Sequence, residues 1–413
     1  MHRTLPPSIS TSDPGSYAHY AVSVRQPRII QQVVDGNPLD QAARSALDDL
    51  EREIRVGTVR SPFAGDRFSA ARFQTEEKRT WDEQIAGQAG RAWLDLPWYF
   101  AESFFYLKLL VAVGYFAPGD ESRRDPFLPQ KERELLDPDG GLAMARHVLA
   151  STATMAPEEA LAFHIQSALW GNRLDLSTFD VDQSRRKGVL HRDADLLLVD
   201  HTASASAALV RADNIQVLLD NAGPELVCDL LLVDFLLRKR GSDDGDSPSV
   251  ILHAKKAPFF VSDATAPDTL GTIDALERDR DGRVSDAGAR LEAALRSGRL
   301  RVSDHWFWNS ALHFTAFPVD LEDELATGDL LLVKGDANYR RTLEDRKWDT
   351  SLSLEDLASY FPSPFVCLRT MKSELVVDVP REQAKRLFSI DPQWMVNGKR
   401  GLIRFCQVKK RQR

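Results

Sequence analysis

The pattern of hydrophobic and polar positions changes character about halfway along the chain. Up to about residue 211, apolar and charged residues recur at helical spacing, for example over residues 39–55. After about residue 212, short apolar runs alternate with amphipathic stretches, which predicts strands joined by helices. Because residues 1–36 are rich in Ser, Pro and turn formers, we predict an extended lead-in there, a helical domain over residues 37–211 and an α/β domain over residues 212–413.

Short apolar runs in the second half of the chain end in polar clusters. Parallel strands joined by helices bring their carboxyl ends to one edge of a sheet, so we expect these clusters to meet at the edge where open α/β sheets bind ligands. A later Asn397-Gly398 pair between apolar runs predicts a terminal hairpin. The runs predicted to be strands cover residues 217–219, 249–253, 300–302, 330–333 and 365–368.

The clearest boundary between a predicted strand and a predicted helix follows the first of these runs. Asp220 and Asn221 stand at the strand tip, Gly223 suits the turn, and Pro224 suits the first position of the next helix. An Asp in such a place is often only a cap, so the pair alone leaves a capping role and a ligand role open. The interpretation depends on what the other strands bring to the same edge.

Oxygen ligands and cations follow the predicted strands. Asp220, Asn221 and Asp263 offer hard oxygen ligands, which suit Mg, Mn or Co rather than a thiolate-preferring metal. Basic side chains suit a phosphate, which Arg grips through two parallel hydrogen bonds. A divalent metal facing such cations is the arrangement that phosphoryl transfer needs, so hydrolysis of a phosphate monoester is the simplest interpretation. The basic residues of these clusters are Lys334, Arg340, Arg369 and Lys372.

Composition and motifs argue against several other classes of protein. The net charge is −8, from 53 basic and 61 acidic residues, so no nucleic-acid partner is expected. The three Cys residues form no CxxC pair and the chain starts without an apolar signal core, which predicts a cytoplasmic protein. The sequence lacks GxGxxG, Walker and Gx[ST]xG motifs, which disfavours nucleotide sites and the α/β-hydrolase class.

The most hydrophobic window covers residues 93–116. It carries Asp95, Glu102 and Lys108, so we expect a buried helix and no membrane partner. A carboxylate buried at Glu102 requires a partner, because burying it alone is costly. The oligomeric state is left open by the sequence.

Several sequence blocks resemble the signature blocks of the metal-dependent damage-control phosphatases. The similar branch is the sugar-phosphate phosphatases, also labelled acidic-residue methyltransferases. The blocks follow one another in the family's order over residues 91–405, and the Asp-Asn-Ala-Gly and Lys-Gly-Asp-Xaa-Asn-Tyr-Arg blocks are specific. The blocks cover residues 170–172, 219–226, 260–263, 334–340, 345–348 and 369–372.

The resemblance implies a helical N-terminal domain packed on a three-layer α/β/α sandwich with a mostly parallel sheet, and an active site between them. It implies that Asp220, Asn221 and Asp263 bind the metal, and that Asp220, Asn221 and Lys372 carry the catalysis. Whether Asp220 or a metal-bound water is the nucleophile stays open. The expected substrate-binding residues include the four cations named above. They are Glu102, Asn172, Lys334, Asp336, Asn338, Tyr339, Arg340, Arg369 and Lys372.

The implied partner is a small phosphorylated metabolite, such as fructose 1-phosphate or fructose 6-phosphate, and the implied cofactor is Mn, Co, Ni or Mg. An alternative is S-adenosylmethionine-dependent methylation of protein carboxylates. It is disfavoured because no glycine-rich donor loop occurs and a basic clamp opposes a cationic donor. A sugar-phosphate binder without catalytic activity is a third hypothesis.

Overall fold

The computed structural model describes residues 5–119, 123–171, 196–238 and 249–409. None of the helices in these ranges combines the length and the hydrophobicity that a membrane-spanning segment requires. In the first part of the chain the helices are α1 Tyr17–Tyr20, α2 Gln26–Gly36, α3 Gln41–Val56, α4 Thr75–Ala86, α5 Trp98–Ala112, α6 Leu128–Leu136, α7 Gly141–Thr152 and α8 Pro157–Trp170.

The segment before residue 37 is not the extended lead-in that we predicted. A π-helical turn, Ala21–Arg25, joins α1 to α2, so the chain is helical from residue 17 to residue 36. Ser16 caps α1, and Pro27 lies just after the π-helical turn inside this continuous helical segment. Of these turn formers, Ser16 therefore marks a helix start. The apolar face of α2 contacts α3 and joins the hydrophobic core that also holds the buried helix α5.

A mostly parallel sheet forms the centre of the second part, as predicted. Its strands are β1 Leu197–Asp200, β2 Asn214–Leu218, β3 Ser249–Lys255, β4 Leu300–His305, β5 Leu330–Lys334, β6 Phe365–Thr370 and β7 Gly401–Cys406, in the spatial order β1-β7-β6-β5-β2-β3-β4. All neighbouring pairs among these strands are parallel except β6 with β7. Since β1 precedes residue 212, the predicted domain boundary separates one strand from its sheet.

The terminal hairpin prediction was wrong. β7 pairs with β6 and β1, and Asn397-Gly398 belongs to a turn that precedes it. The apolar residues before this turn pack into the core instead of forming a partner strand; Trp394, for example, is 1% exposed. The predicted hairpin therefore does not form, because β7 pairs with two other strands of the sheet.

Helices cover both faces of the sheet, which makes three layers. Alternate residues of β5 point to opposite faces: Leu330 and Leu332 join one hydrophobic core, and Leu331 and Val333 join the other. The helix Pro224–Arg238, α10, is buried on nearly every side. The helices of this part are α9 Thr202–Arg211, α10 Pro224–Arg238, α11 Ala266–Glu277, α12 Gly282–Arg296, α13 Val319–Ala326, α14 Gly335–Thr342, α15 Leu354–Leu357 and α16 Arg381–Ile390.

Candidate functional site

Asp220 and Asn221 lie in the tight turn between β2 and α10. Gly223 in this turn has a φ of 73°, a left-handed conformation that glycine adopts without strain. The loop after β3 folds back over the turn, where the amide of Ala264 donates to the carbonyl of Asp220 over 2.8 Å. Asn221 and Asp263 form a β-bridge. The structure thus brings the three predicted metal ligands together.

The side chains of Asp220, Asn221 and Asp263 are all buried. Asn221 Nδ2 donates to Asp220 Oδ2 over 2.6 Å. The pKa of Asp220 is well above its ordinary value, first because the carboxyl is buried, and then because Glu225 and Asp263 are close. Burial also raises the pKa of Asp263. Carboxylates that are this costly to ionise together favour a bound cation.

Two lysines partly offset this negative charge. Lys255 Nζ lies 3.2 Å from Asp263 Oδ2, an ion-pair distance, although this oxygen accepts no hydrogen bond with good geometry. Lys255 is buried, so it neutralises the site from inside the protein. Lys372 is exposed, and its charge lowers the pKa of Asp220. Lys372 is therefore the cation that a ligand near Asp220 can reach.

Gly335 allows Asp220 to pack directly on the backbone at the start of α14. A Cβ atom at Gly335 would lie 2.0 Å from Asp220 Cγ, which is far inside any contact distance. The φ of Gly335 is 82°, again in the left-handed region. Both the close approach and the backbone conformation therefore require glycine in this block.

Lys334 lies beneath the site and does not enter the cavity. Its ammonium group donates to the carbonyl of Ala168 and lies 3.0 Å from both Glu225 Oε1 and Asp229 Oδ1. Glu225 Oε2 in turn accepts from Asn221 Nδ2 over 2.9 Å. The geometry does not match the predicted substrate contact: this buried lysine holds the carboxylate that orients Asn221.

Arg340 is occupied by two carboxylates of the protein. Its Nε and one terminal nitrogen donate to Asp345 over 2.8 and 2.9 Å, and its other terminal nitrogen donates to Glu102. The guanidinium carbon lies 3.5 Å from the ring centroid of Trp98. Glu102 thus has the partner that its burial requires, and Arg340 touches the cavity with its charge already balanced.

Asp336 anchors the loop that carries Lys372. Its Oδ1 accepts from Arg369 Nε over 2.7 Å, from Ser373 Oγ over 3.0 Å and from the amide of Lys372 over 3.2 Å. Arg369 is fully buried, with its guanidinium carbon 4.0 Å from the ring centroid of Tyr339. Arg369 therefore fixes the position of Asp336 and does not reach the cavity.

Asn338 and Tyr339 also face the protein interior. Asn338 Nδ2 donates to the carbonyls of Lys334 and Leu219 over 2.8 and 3.1 Å. The Tyr339 hydroxyl accepts from the amide of Val377 over 3.0 Å, and burial raises its pKa. Asn338 thus holds the ends of β2 and β5 together, and Tyr339 holds the loop after β6, so neither predicted substrate-binding side chain reaches the cavity.

A cavity of about 310 Å³ lies where the strand-tip loops meet the helical part of the chain. Of the predicted site residues, Asn172 lies outside the described residues. The predicted residues that line the cavity are Glu102, Asp220, Asn221, Asp263, Asp336, Arg340 and Lys372.

Further lining residues were missed by the sequence reasoning. Tyr17 and Arg25 come from the segment that we expected to be extended, and Asn397 from the turn that we assigned to a hairpin. Ser262 Oγ donates to Asn221 Oδ1 over 2.5 Å. The only signal for Ser262 was its place next to Asp263, and no motif marked Arg25 or Tyr17.

Sequence comparisons relate the chain to known proteins. The family model described as the damage-control phosphatase ARMT1-like domain matches residues 21–387. The damage-control phosphatase ARMT1 of Mus musculus is 28% identical over 446 residues, covering 97% of this chain and 98% of that protein. The protein of the same name from Danio rerio is 29% identical over 457 residues, with 99% of both chains covered.

A solved structure was also compared with the chain. The crystal structure of a DUF89 family protein from Pyrococcus horikoshii has a TM-score of 0.47 and 18% sequence identity, over 94% of this chain and 98% of that one.

The family model matches most of the chain, including every described residue that lines the cavity except Tyr17 and the turn 396–398. The chain therefore belongs to the damage-control phosphatase ARMT1-like domain family.

Proposed function

We propose that the protein is a metal-dependent phosphatase that hydrolyses small sugar phosphates of the fructose 1-phosphate or fructose 6-phosphate type. Water and the ester yield inorganic phosphate and the free sugar. The observation that carries this proposal is the cavity that holds Asp220, Asn221 and Asp263 together with the exposed Lys372. Its volume of about 310 Å³ matches the lower end of small-ligand sites. The relatives named as damage-control phosphatases support the same reaction class.

The ligand set fits a hard divalent cation such as Mn, Co, Ni or Mg. Within the described ranges no three His, Cys, Asp or Glu side chains form a complete metal site. A catalytic Mg or Mn ion needs fewer protein ligands, because one or two carboxylates and the phosphate of the substrate suffice to hold it. Asp220 and Asp263 supply these carboxylates, and Asn221 adds a carboxamide oxygen. When bound, a divalent ion supplies neutralising charge at the phosphoryl oxygens.

The residues of this chain prepare the site for the reaction. Glu225 accepts from Asn221 Nδ2 and so leaves the carboxamide oxygen turned away from it, towards Ser262 and the cavity wall. Lys372 offers positive charge to the phosphoryl oxygens near Asp220, and Asp336 holds its backbone in place. Arg340 is neutralised by Asp345 and Glu102, so in this proposal its role is to shape the cavity.

The nucleophile is either Asp220 or water. Asp220 as a nucleophile requires an ionised carboxylate, which burial opposes and Lys372 favours. Water as the nucleophile would have the carboxylates of Asp220 and Asp263 beside it as candidate proton acceptors. Trapping a phosphorylated Asp220 in rapidly quenched samples would decide between these two mechanisms.

The test is phosphate release from a panel of sugar phosphates, with and without added Mn or Co. We expect release only with the metal, and we expect Asp220→Ala to abolish it while circular dichroism stays unchanged. Asp304→Ala is the matched control, since Asp304 is an exposed aspartate on β4 outside the cavity. Near-normal turnover of Asp220→Ala would overturn the assignment.

Methyl transfer is measured in the same preparation. The alternative methyltransferase function predicts transfer from S-adenosylmethionine to protein carboxylates without any need for a phosphate ester. No metal-dependent phosphate release from any member of the panel, together with such transfer, would replace the proposal by that alternative.

A further inference from the structure

The end of the cavity formed by Tyr17, Arg25, Trp98, Glu102 and Arg340, the Arg25 end, has no role in the proposed phosphoryl chemistry. Contacts join the residues of this end: Tyr17 packs on Trp98, Arg340 lies over the ring of Trp98, and Glu102 lies near both arginines. The three predicted metal ligands cluster separately, in the loops at the strand tips.

Arg25 is available to a ligand in a way that Arg340 is not. All three guanidinium nitrogens of Arg340 donate to carboxylates, its face is covered by Trp98, and its side chain is 4% exposed. Arg25 is 41% exposed, and its terminal nitrogen lies 3.8 Å from Glu102 Oε1, beyond hydrogen-bond distance. Arg25 lines the cavity, and within the described ranges its guanidinium donates no hydrogen bond.

Glu102 offers one acceptor to the same space. Its Oε2 accepts from Arg340, whereas its Oε1 is the oxygen that lies 3.8 Å from Arg25. A guanidinium and a carboxylate oxygen set slightly too far apart for each other can both bind one hydroxyl group, which donates to the carboxylate and accepts from the guanidinium. The π-helical turn that ends at Arg25 is an irregularity often found at functional positions.

The charges at the Arg25 end cancel. Two positive charges, Arg25 and Arg340, face two negative charges, Glu102 and Asp345, and both carboxylates accept hydrogen bonds from Arg340. The nearby carboxylate of Asp336 is balanced by its own buried arginine partner. A neutral group with hydroxyls is therefore accommodated here, whereas a second anionic group would meet the Glu102 carboxylate without a free compensating charge.

Resting on the proposed phosphatase function, we propose that Arg25 and Glu102 form a hydroxyl-recognition pair that determines substrate specificity. The pair selects phosphate monoesters whose leaving group is a neutral polyol, and Glu102 disfavours esters that carry a second anionic group. Arg25 binds the leaving group at its hydroxyls, while the phosphoryl group is held at the Asp220 end.

The first measurement compares three esters. They are fructose 6-phosphate, whose leaving group carries hydroxyls, fructose 1,6-bisphosphate, whose leaving group adds a second phosphate, and p-nitrophenyl phosphate, whose leaving group has neither. Arg25→Met is expected to lower kcat/KM for fructose 6-phosphate by about tenfold more than for p-nitrophenyl phosphate, mainly through KM. Arg28→Met is the matched control, because Arg28 is an exposed arginine three positions away on α2.

The second measurement removes the negative charge while keeping the hydrogen-bond acceptor for Arg340. Glu102→Gln is expected to raise the ratio of kcat/KM for the bisphosphate to that for fructose 6-phosphate by about tenfold, because Arg25 then has a free positive charge. A change confined to stability would leave this ratio where it is in the unmodified protein. The two variants therefore test the hydroxyl contact and the charge exclusion separately.

The outcomes are distinguishable. Equal losses for all esters in Arg25→Met would mean that Arg25 supports the fold or the phosphoryl group, and would overturn the hydroxyl contact. An unchanged ratio in Glu102→Gln would overturn the charge exclusion. No phosphate release from any ester by the unmodified protein, with Mn present, would overturn the proposed function and the specificity pair with it.

Discussion

Replacing Gly335 with Ala tests whether Asp220 needs the close backbone approach seen in the structure. The φ of 82° at Gly335 puts an alanine in the left-handed region, at a cost of about 1–2 kcal/mol. The new Cβ would lie 2.0 Å from Asp220 Cγ, so the carboxylate has to move by about 1.4 Å to reach the ordinary contact distance of 3.4 Å. That movement breaks the 2.6 Å hydrogen bond between Asn221 and Asp220, which costs about 1.5–3 kcal/mol more.

The expected total loss of unfolding free energy is therefore about 2.5–5 kcal/mol. The displacement also moves a ligand out of place, and a shift of this size is expected to lower the rate of phosphate release by about a hundredfold. Urea titration followed by circular dichroism measures the first effect, and phosphate release at saturating Mn measures the second. Both effects come from one methyl group.

Gly298→Ala separates backbone strain from the clash. Gly298 has a φ of 77°, almost the same as that of Gly335, but no atom lies within 4 Å of its would-be Cβ. This variant is expected to lose only the strain cost of about 1–2 kcal/mol and to keep its activity. If Gly335→Ala matched Gly298→Ala in both stability and turnover, the close packing of Asp220 on Gly335 would be refuted.

Two further predictions concern buried charged and titratable groups. Lys334→Met leaves Glu225 and Asp229 buried without their cation, so the free energy of unfolding in urea is expected to fall by about 3–5 kcal/mol; a loss below about 1 kcal/mol would show that the lysine is not their essential partner. His164 is buried against Phe235, and burial lowers its pKa to about 4. Because this lies below the unfolded value of about 6.5, the unfolded chain binds the proton first and stability is lost as the pH falls from about 6.5 towards 4. Between about pH 7.5 and pH 5 the unmodified chain should lose about 2 kcal/mol more than His164→Leu, and equal losses would exclude His164 as the group responsible.

Local pattern was sufficient for much of the fold. Each predicted strand is present because an apolar run bounded by turn formers has few other ways to bury its side chains. The parallel direction followed from the helices between the strands, since a parallel pair needs a long crossover. The same rule brought Asp220, Asn221 and Asp263 to one edge, where the structure has them.

Local pattern failed where a tertiary partner decided the outcome. Residues 17–36 look like a linker in isolation, but they are helical because α3 and α5 complete a hydrophobic core for their apolar side chains. Asn397 looks like a hairpin residue, but β6 and β1 were better partners for β7. In both cases the competing contact lies far away in the sequence.

The direction of the basic side chains shows the same limit within the site. Lys334 follows Leu330 and Leu332 in the two-residue alternation of β5, which places it on the face that α8 and α10 cover. Its charge alone pointed to a phosphate, because the sequence does not show that Glu225 and Asp229 lie 3.0 Å away. Arg340 and Arg369 likewise form ion pairs with carboxylates of the protein itself.

By itself, the sequence predicted five of the strands, their parallel direction, the glycine turn after β2 and the oxygen-bearing side chains in the strand-tip loops, because these depend on residues that are neighbours in the chain. Only the tertiary structure decided which cations face the cavity. Lys372 is exposed, and the guanidinium of Arg25 lies beyond hydrogen-bond distance of Glu102. Lys334, Arg340 and Arg369 are instead neutralised inside the protein. The reason is physical: a charge is available to a ligand only if no buried carboxylate has already paired with it, and such pairs join residues that are distant in sequence.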